Sequence, residues 1–305
     1  MNQKLFDRIN EIVGKENVYQ QEPLKKHTTF RIGGPADLFV TPHTAEEVAE
    51  TLKACKEAGE NWYLMGNGSN LLVSDKGFGG VVVQLFKNFN CISIEGEVLT
   101  AQAGALNSVI AKRLLDESLT GYEFAAGIPG TIGGAVVMNA GAYGGEMKDV
   151  LLEVTVLDEH FDKKTIPASE LELGYRTSLI AKKGYVVLEA KMKFCRGSQE
   201  AIKARMEELK EQRVSKQPLE YPSAGSAFKR PEGYFAGKLI MDSGLRGFTV
   251  GGAQVSEKHC GFVINKGDAT AQDVCMLMKE VQRIVEEKYG VSLEAEVKLL
   301  GDFQQ

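Results

Sequence analysis

Histidine is scarce in this 305-residue chain: there are four, His27, His43, His160 and His259, and none is spaced as a metal-binding pair. The five cysteines, Cys55, Cys91, Cys195, Cys260 and Cys275, are odd in number and far apart, with no Cys-x-x-Cys. That pattern excludes a disulfide scaffold and a zinc site; buried free thiols in a reducing cytoplasm, and no metal, are expected. No apolar run approaches the ~18 residues of a membrane span. The N-terminal stretch MNQKLFDRINEIVG is amphipathic and lacks the apolar centre of a signal peptide. Lysine and arginine are scattered rather than blocked, and the net charge is −5. The basic footprint needed by nucleic acid or an anionic membrane is therefore missing, and neither is an expected partner. Repeats and low-complexity tracts are absent too. With 43% apolar residues, the chain can bury a sizeable core.

What the chain has in quantity is glycine, 33 residues. Seven of them, Gly127, Gly130, Gly133, Gly134, Gly141, Gly144 and Gly145, fall in or just beyond AAGIPGTIGGAVVMNAGAYG, residues 125–144. Side chains this small let main-chain N–H groups come close to a bulky ligand. A run of such groups around turns cradles an anion such as a pyrophosphate. The segment points to a large phosphorylated cofactor rather than a core element; the alternative is a loop of tight turns. A second cluster, Gly66-Asn67-Gly68-Ser69-Asn70, lies between apolar runs and is expected to join two strands. It is no dinucleotide fingerprint, because Leu71 stands where the third glycine would be and no helix pattern follows. Nor is it a P-loop, since no Gly-Lys-Ser/Thr ends it.

Along the chain, Leu5, Ile9, Ile12 and Val13 share one helical face that Gly14 can stop. Thr44 and Glu47 predict a capping box for a helix that turns Val48, Leu52 and Cys55 inward. Strands are predicted at 62–65 and 81–85, and a hairpin at 92–94 and 98–101 around Glu95-Gly96-Glu97. A helix at 106–116 and strands at 153–157, 164–167 and 186–194 follow. A charged helix at 201–214 reads as a connector, and the turn-rich 215–223 as a domain boundary. The clearest helix is 270–289, capped by Thr270 and ended by Gly290, with Val274, Leu277, Met278, Val281, Ile284 and Val285 on its apolar face and Met276 and Met278 as core filler. The mixture of strands and helices predicts an α+β cofactor domain with two lobes.

Gly66–Asn70, Gly127-Ile128-Pro129-Gly130-Thr131-Ile132-Gly133-Gly134 and Asn139-Ala140-Gly141-Ala142-Tyr143-Gly144 resemble the flavin-binding half of the UDP-N-acetylenolpyruvoylglucosamine reductase family, a branch of the vanillyl-alcohol-oxidase-like flavoproteins. The resemblance runs from about Leu24 to the C-terminus. It takes in His27-Thr28-Thr29-Phe30-Arg31-Ile32-Gly33-Gly34, Gly174-Tyr175-Arg176, Ala224-Gly225-Ser226-Ala227-Phe228-Lys229, Gly237–Ile240, Gly251–Ser256 and Leu293–Val297, in the family's order. It implies a two-lobed FAD-binding domain of the vanillyl-alcohol-oxidase/PCMH type over 25–200 (lobes about 25–88 and 89–200). An N-terminal helix and lead-in over 1–24 precedes it, and a C-terminal α+β substrate-binding domain over 201–305 follows. It further implies FAD held by Arg31, by Gly66, Asn67, Gly68, Ser69 and Asn70, and by Ala126, Gly127, Ile128, Pro129, Gly130, Thr131, Gly133, Gly134, Asn139, Ala140, Gly141 and Tyr143. The implied reaction is NADPH-dependent reduction of UDP-N-acetylglucosamine enolpyruvate to UDP-N-acetylmuramate, for peptidoglycan synthesis in the cytoplasm.

Reducing an enol ether conjugated to a carboxylate requires a hydride source, a cation or acid at the carboxylate, and a general acid beside the neighbouring carbon. Arg176 is the candidate cation, because its planar fork binds a carboxylate through two hydrogen bonds; on pattern alone it is equally a surface arginine. Ser226, among small neighbours, is the candidate proton donor by resemblance, although a serine in a glycine turn is usually structural. It is not a nucleophile in a Gly-x-Ser-x-Gly elbow. Lys229 is three residues on and is expected to ease a transient alkoxide at Ser226. Strict alternation over 293–299 puts Glu294, Glu296 and Lys298 on one polar face, the usual look of a solvated strand. Resemblance, not periodicity, selects Glu296 as the active-site acid. Tyr175, Lys229, Gln254 and His259 are candidate substrate contacts, with packing or surface exposure as the alternative for each.

No histidine occurs in either glycine loop, so the FAD is expected to be non-covalent. The short stretch between Gln254 and Thr270 leaves little room for the tyrosine-bearing insertion of the longer family type, so the chain resembles the shorter one. Two rival classes are a flavin oxidoreductase acting on an alcohol or hydroxy acid and a non-catalytic nucleotide-binding protein.

Overall fold

A computed structural model describes residues 2–303 of the chain. The chain folds as two compact units, each gathered from separate stretches. The first comprises Met1–Gln20, Leu38–Asn67 and Gly80–Gln212; the second comprises Gln21–Asp37, Gly68–Gly79 and Arg213–Gln305.

In the first unit, helix α1 (Gln3–Val13) buries Leu5, Ile9 and Val13 and ends at Gly14, whose N–H returns to the Asn10 carbonyl. Helix α2 (Ala45–Ala58) is capped by Thr44, whose hydroxyl accepts from the Glu47 N–H. The predicted box closes only on that side, because the Glu47 carboxylate takes the His43 N–H at 2.7 Å. Val48, Leu52 and Cys55 point into the core. Strands Trp62–Met65 and Phe78–Gln84 pair in parallel, Trp62 opposite Val81. A five-stranded antiparallel sheet runs in the order Lys163–Pro167, Leu151–Leu157, Val186–Lys193, Val98–Gln102, Ile92–Glu95. The last two strands form the predicted hairpin around Gly96, φ +64°. Helix α3 (Asn107–Asp116) follows it. The 125–144 segment is not all loop: Ile132–Val137 forms a short helix, α4, with Ile132, Gly133, Ala135 and Val136 buried. A five-residue helix α5 (Leu179–Lys183) completes the unit.

Helix α6 (Gln199–Lys216) carries the chain across the division and buries only Ile202 and Leu209. In the second unit a four-stranded antiparallel sheet has the order Ser223–Ser226, Phe262–Asn265, Ala253–Val255, Thr249–Val250. Helices α7 (Ala236–Asp242) and α8 (Ala271–Tyr289) pack with it. The α8 start is a full capping box, Thr270 with Asp273, reinforced by the Asp75 carboxylate, which accepts from the Ala271 and Gln272 N–H groups at 2.8 and 3.1 Å. Met278 is core as expected, but Met276 is half exposed, because it sits on the outer face of the helix. Leu71–Val73, which leaves the first glycine loop, pairs in parallel with Lys298–Leu300. Of the cysteines, Cys55 and Cys260 are buried and Cys275 is intermediate. Cys91 and Cys195 are exposed at strand ends, which corrects the expectation of uniformly buried thiols.

Candidate functional site

The two glycine loops meet inside the first unit. A Cβ on Gly66 would lie 2.3 Å from Thr131 Oγ1, so only glycine lets the first loop close onto the second. A Cβ on Gly133 would lie 2.8 Å from that of Ala103. The Ile132 and Gly133 N–H groups are used structurally, donating to the Ala105 and Ala103 carbonyls at 2.8 and 2.9 Å. The Gly130, Thr131 and Gly134 N–H groups donate to no backbone carbonyl among the described residues. Gly134 is exposed, and a Cβ there would find nothing nearer than Thr131 Oγ1 at 4.0 Å. Three unspent N–H groups close together in the chain, one of them on the exposed Gly134, are what a pyrophosphate requires, so these residues fit FAD. Gly127 and Pro129 are exposed, and Asn67, Ala126, Ile128 and Ala140 are half-buried. Tyr143 (φ +52°) stands out from the hairpin that Gly141 makes with Gly145–Glu146.

Asn139 is buried at φ +43°, and its carboxamide is spent inside the protein. Its Nδ2 donates to Glu146 Oε2 (2.9 Å) and to the Gly174 carbonyl (3.2 Å), and its Oδ1 accepts from the Lys148 N–H (3.0 Å). Gly174 opens the tight turn that carries Tyr175 and Arg176, closed by reciprocal Gly174–Thr177 backbone bonds of 3.1 and 3.3 Å. Arg176 occupies the third position of that turn at φ +55°, where glycine is the usual residue. Its guanidinium lies over the half-exposed Tyr175 ring, 5.2 Å from the centroid. Ser178, fully buried, anchors the far side by donating to the Val137 carbonyl at 2.7 Å and accepting from the Ala181 N–H at 3.1 Å. The Glu146 carboxyl is held below the ordinary range, first by its hydrogen bond to Lys148 and also by Asn139 and the Arg176 charge.

The second unit assembles the other candidates. Arg31 is exposed at φ +56° in a segment tied to the first glycine loop by the Thr29 N–H, which donates to the Gly68 carbonyl at 3.2 Å. Ser69 and Asn70 follow, and Asn70 Nδ2 donates to the Glu296 carbonyl at 3.1 Å. Ser226 comes just after a bulge, where the register slips between Ser223 and Ser226 and Gly225 takes φ +77°. Phe228 bridges Ala295, the Glu296 N–H donates to Ala227 at 2.9 Å, and the Lys229 N–H donates to Glu294 at 2.8 Å. Residues 226–229 and 294–296 thus run side by side, with Ser226 and Glu296 near one end.

Alternation fails in 293–299. Glu294 is exposed and ion-paired with Lys229, whereas Glu296 is 9% exposed and Ala295 and Leu299 face outward. The segment is not a regular strand before Lys298, so its two glutamates need not share a face. Gln254 is buried, with Nε2 donating to Gly247 O (3.3 Å) and Thr249 Oγ1 (3.1 Å) and Oε1 unpartnered in the protein. His259 accepts the Gly261 N–H on Nδ1 at 3.1 Å and meets Phe262 edge-on at 5.0 Å; burial pulls its pKa below the ordinary imidazole value. Glu146, which sequence reasoning did not single out, contacts Asn139 and Lys148; its sequence signal is a lone acid after a glycine hairpin.

Among the described residues, no group of three or more His, Cys, Asp and Glu side chains is arranged to hold a metal, and no helix is long and apolar enough to cross a membrane. The cradle, the α+β architecture and the separate acid–serine unit define an FAD-binding oxidoreductase with a C-terminal substrate domain. Two family profiles match, an FAD binding domain over residues 36–160 and the UDP-N-acetylenolpyruvoylglucosamine reductase C-terminal domain over residues 217–300. The chain belongs to the UDP-N-acetylenolpyruvoylglucosamine reductase family.

It is 52% identical to the enzyme of that name from Clostridium perfringens, over 99% of both chains. It is 54% identical to the one from Lachnoclostridium phytofermentans, again over 99% of each. The crystal structure of UDP-N-acetylenolpyruvylglucosamine reductase from Thermus caldophilus superposes with a TM-score of 0.80 at 36% identity, covering 92% of this chain and 98% of that one. A glucose dehydrogenase, Phl p 4.0202, matches 64% of this chain and 44% of its own with a TM-score of 0.50 at 11% identity, a likeness of fold alone.

Proposed function

We infer that the chain catalyses NADPH-dependent reduction of UDP-N-acetylglucosamine enolpyruvate to UDP-N-acetylmuramate, a step of peptidoglycan synthesis, in the cytoplasm. The observation that carries the reading is the backbone pairing of 226–229 with 294–296, which brings the segment of the buried Glu296 alongside the segment of Ser226. The chemistry supplied by bound FAD is hydride relay, from NADPH to the methylene carbon of the enolpyruvyl group. The N–H groups of Gly130, Thr131 and Gly134 would hold its pyrophosphate, and the rest of the two glycine loops and Arg31 would supply the remaining contacts.

Arg176 pairs with the substrate carboxylate and stabilises the enolate charge. Glu296, low in solvent, hydrogen-bonds the same developing charge when protonated. Ser226 gives its proton to the carbon next to the carboxylate. Tyr175, Lys229, Gln254 and His259 contact the UDP-sugar. The domain limits 25–200 and 201–305 and the shorter family type complete the reading.

The test is a visible spectrum of the purified holoprotein under anaerobic conditions. NADPH should bleach the flavin bands, and the enolpyruvyl substrate should restore them. Reoxidation by substrate that does not occur, or bleaching by an alcohol or hydroxy acid instead of NADPH, would reject the assignment.

A further inference from the structure

The Tyr175–Arg176 turn is short, exposed at its tip and strained at Arg176, φ +55°. A two-residue tip of this kind keeps its geometry only if its base is over-determined. The base here is fixed from two sides. On one, Ser178 Oγ donates to Val137 O at 2.7 Å. On the other, the Gly174 carbonyl accepts the buried Asn139 carboxamide at 3.2 Å. Asn139 is itself oriented, since Glu146 Oε2 takes its second Nδ2 proton at 2.9 Å and the Lys148 N–H fixes its Oδ1 at 3.0 Å. Glu146 is held in turn by Lys148 Nζ at 2.8 Å. This chain of contacts runs from Lys148 through Glu146 and Asn139 to the Gly174 carbonyl at the base of the turn, and both Asn139 Nδ2 protons are used inside the protein.

We propose that Asn139 and Glu146 are positioning residues that fix the Tyr175–Arg176 turn and so aim the Arg176 guanidinium at the substrate carboxylate. This rests on the reading of Arg176 given above. Glu146 also places a carboxylate close enough to Arg176 for each charge to be felt by the other.

The experiment compares Asn139→Ala and Glu146→Gln, each alone and each combined with Arg176→Ala, in the FAD-loaded enzyme. Anaerobic stopped flow separates flavin reduction by NADPH from reoxidation by the enolpyruvyl substrate. Flavin absorbance changes on adding substrate to oxidised enzyme give its Kd. Each single variant should slow the reoxidation step about ten- to a hundredfold, the scale of a small misplacement of a reacting group. Each should also weaken substrate binding, and in Glu146→Gln, which lies outside the glycine loops, the NADPH step should keep its wild-type rate. In the Arg176→Ala background the same changes should add less than about twofold, because residues acting only through Arg176 have nothing left to aim. Equal losses in both backgrounds overturn the proposal. Wild-type reoxidation by Arg176→Ala alone instead overturns the reading of Arg176. Should Asn139→Ala fail to fold or hold FAD, Glu146→Gln, which keeps the side chain's shape, decides on the same criteria.

Discussion

At the scale of single residues, neighbours close in sequence have been given opposite environments. Glu294 and Glu296 are two positions apart, yet one is a surface ion-pair partner of Lys229 and the other a buried carboxyl next to the serine strand. Lys229 is only partly exposed, and its Glu294 pair is a surface contact that contributes little to stability. Its ammonium is therefore available for chemistry at low cost to the fold. We expect Lys229→Met to fold with an unchanged melting temperature, within about 1 °C, and to slow reoxidation of the reduced enzyme by substrate by about tenfold, one pKa unit's worth of alkoxide stabilisation. A wild-type reoxidation rate would remove Lys229 from the mechanism.

At the scale of elements, glycines do the positioning. A Cβ added at Gly66 would lie 2.3 Å from Thr131 Oγ1, and one added at Gly33 or Gly34 would lie 2.6 Å from Val73 Cβ or 2.3 Å from the Asp75 carbonyl oxygen. We expect Gly66→Ala to push the two glycine loops apart, lowering bound FAD per chain well below stoichiometric and costing about 1–3 kcal/mol of stability from overpacking. Adding Thr131→Ala, which removes the clashing oxygen, should recover part of the flavin content. Full FAD occupancy in Gly66→Ala would show that the loops have slack. Most elements were legible in the sequence. The α1 and α8 faces, the 92–102 hairpin and the 186–193 strand follow from periodicity and turn residues, which are local. The α4 helix was not, because two glycines in six residues suppress any helix pattern, and tertiary packing of Ile132 and Val136 overrides that weak propensity. Glu47 and Met276 were misassigned for a related reason: His43 competed for one, and the outer helix face claimed the other.

At the scale of the whole molecule, each unit is built from three stretches of chain, and the first glycine loop passes from one unit to the other between Asn67 and Gly68. The cofactor loops contain no histidine or cysteine within residues 66–70 or 125–144. We expect acid precipitation of the holoprotein to leave all the flavin in the supernatant. Yellow colour retained in the washed pellet would show a covalent link elsewhere.

By itself, the order of residues determined most of the helices and strands, α4 and the 293–297 stretch excepted, and it marked the glycine loops, Arg176 and Ser226 through motifs a few residues long. Folding decided what those motifs face. It buried Glu296 and left Glu294 exposed, packed Gly66 against Thr131, and spent the Asn139 side chain on the base of the Arg176 turn. The physical reason is range: propensity and periodicity are set by neighbours in the chain, whereas burial and hydrogen-bond partnership are set by whatever packing brings alongside.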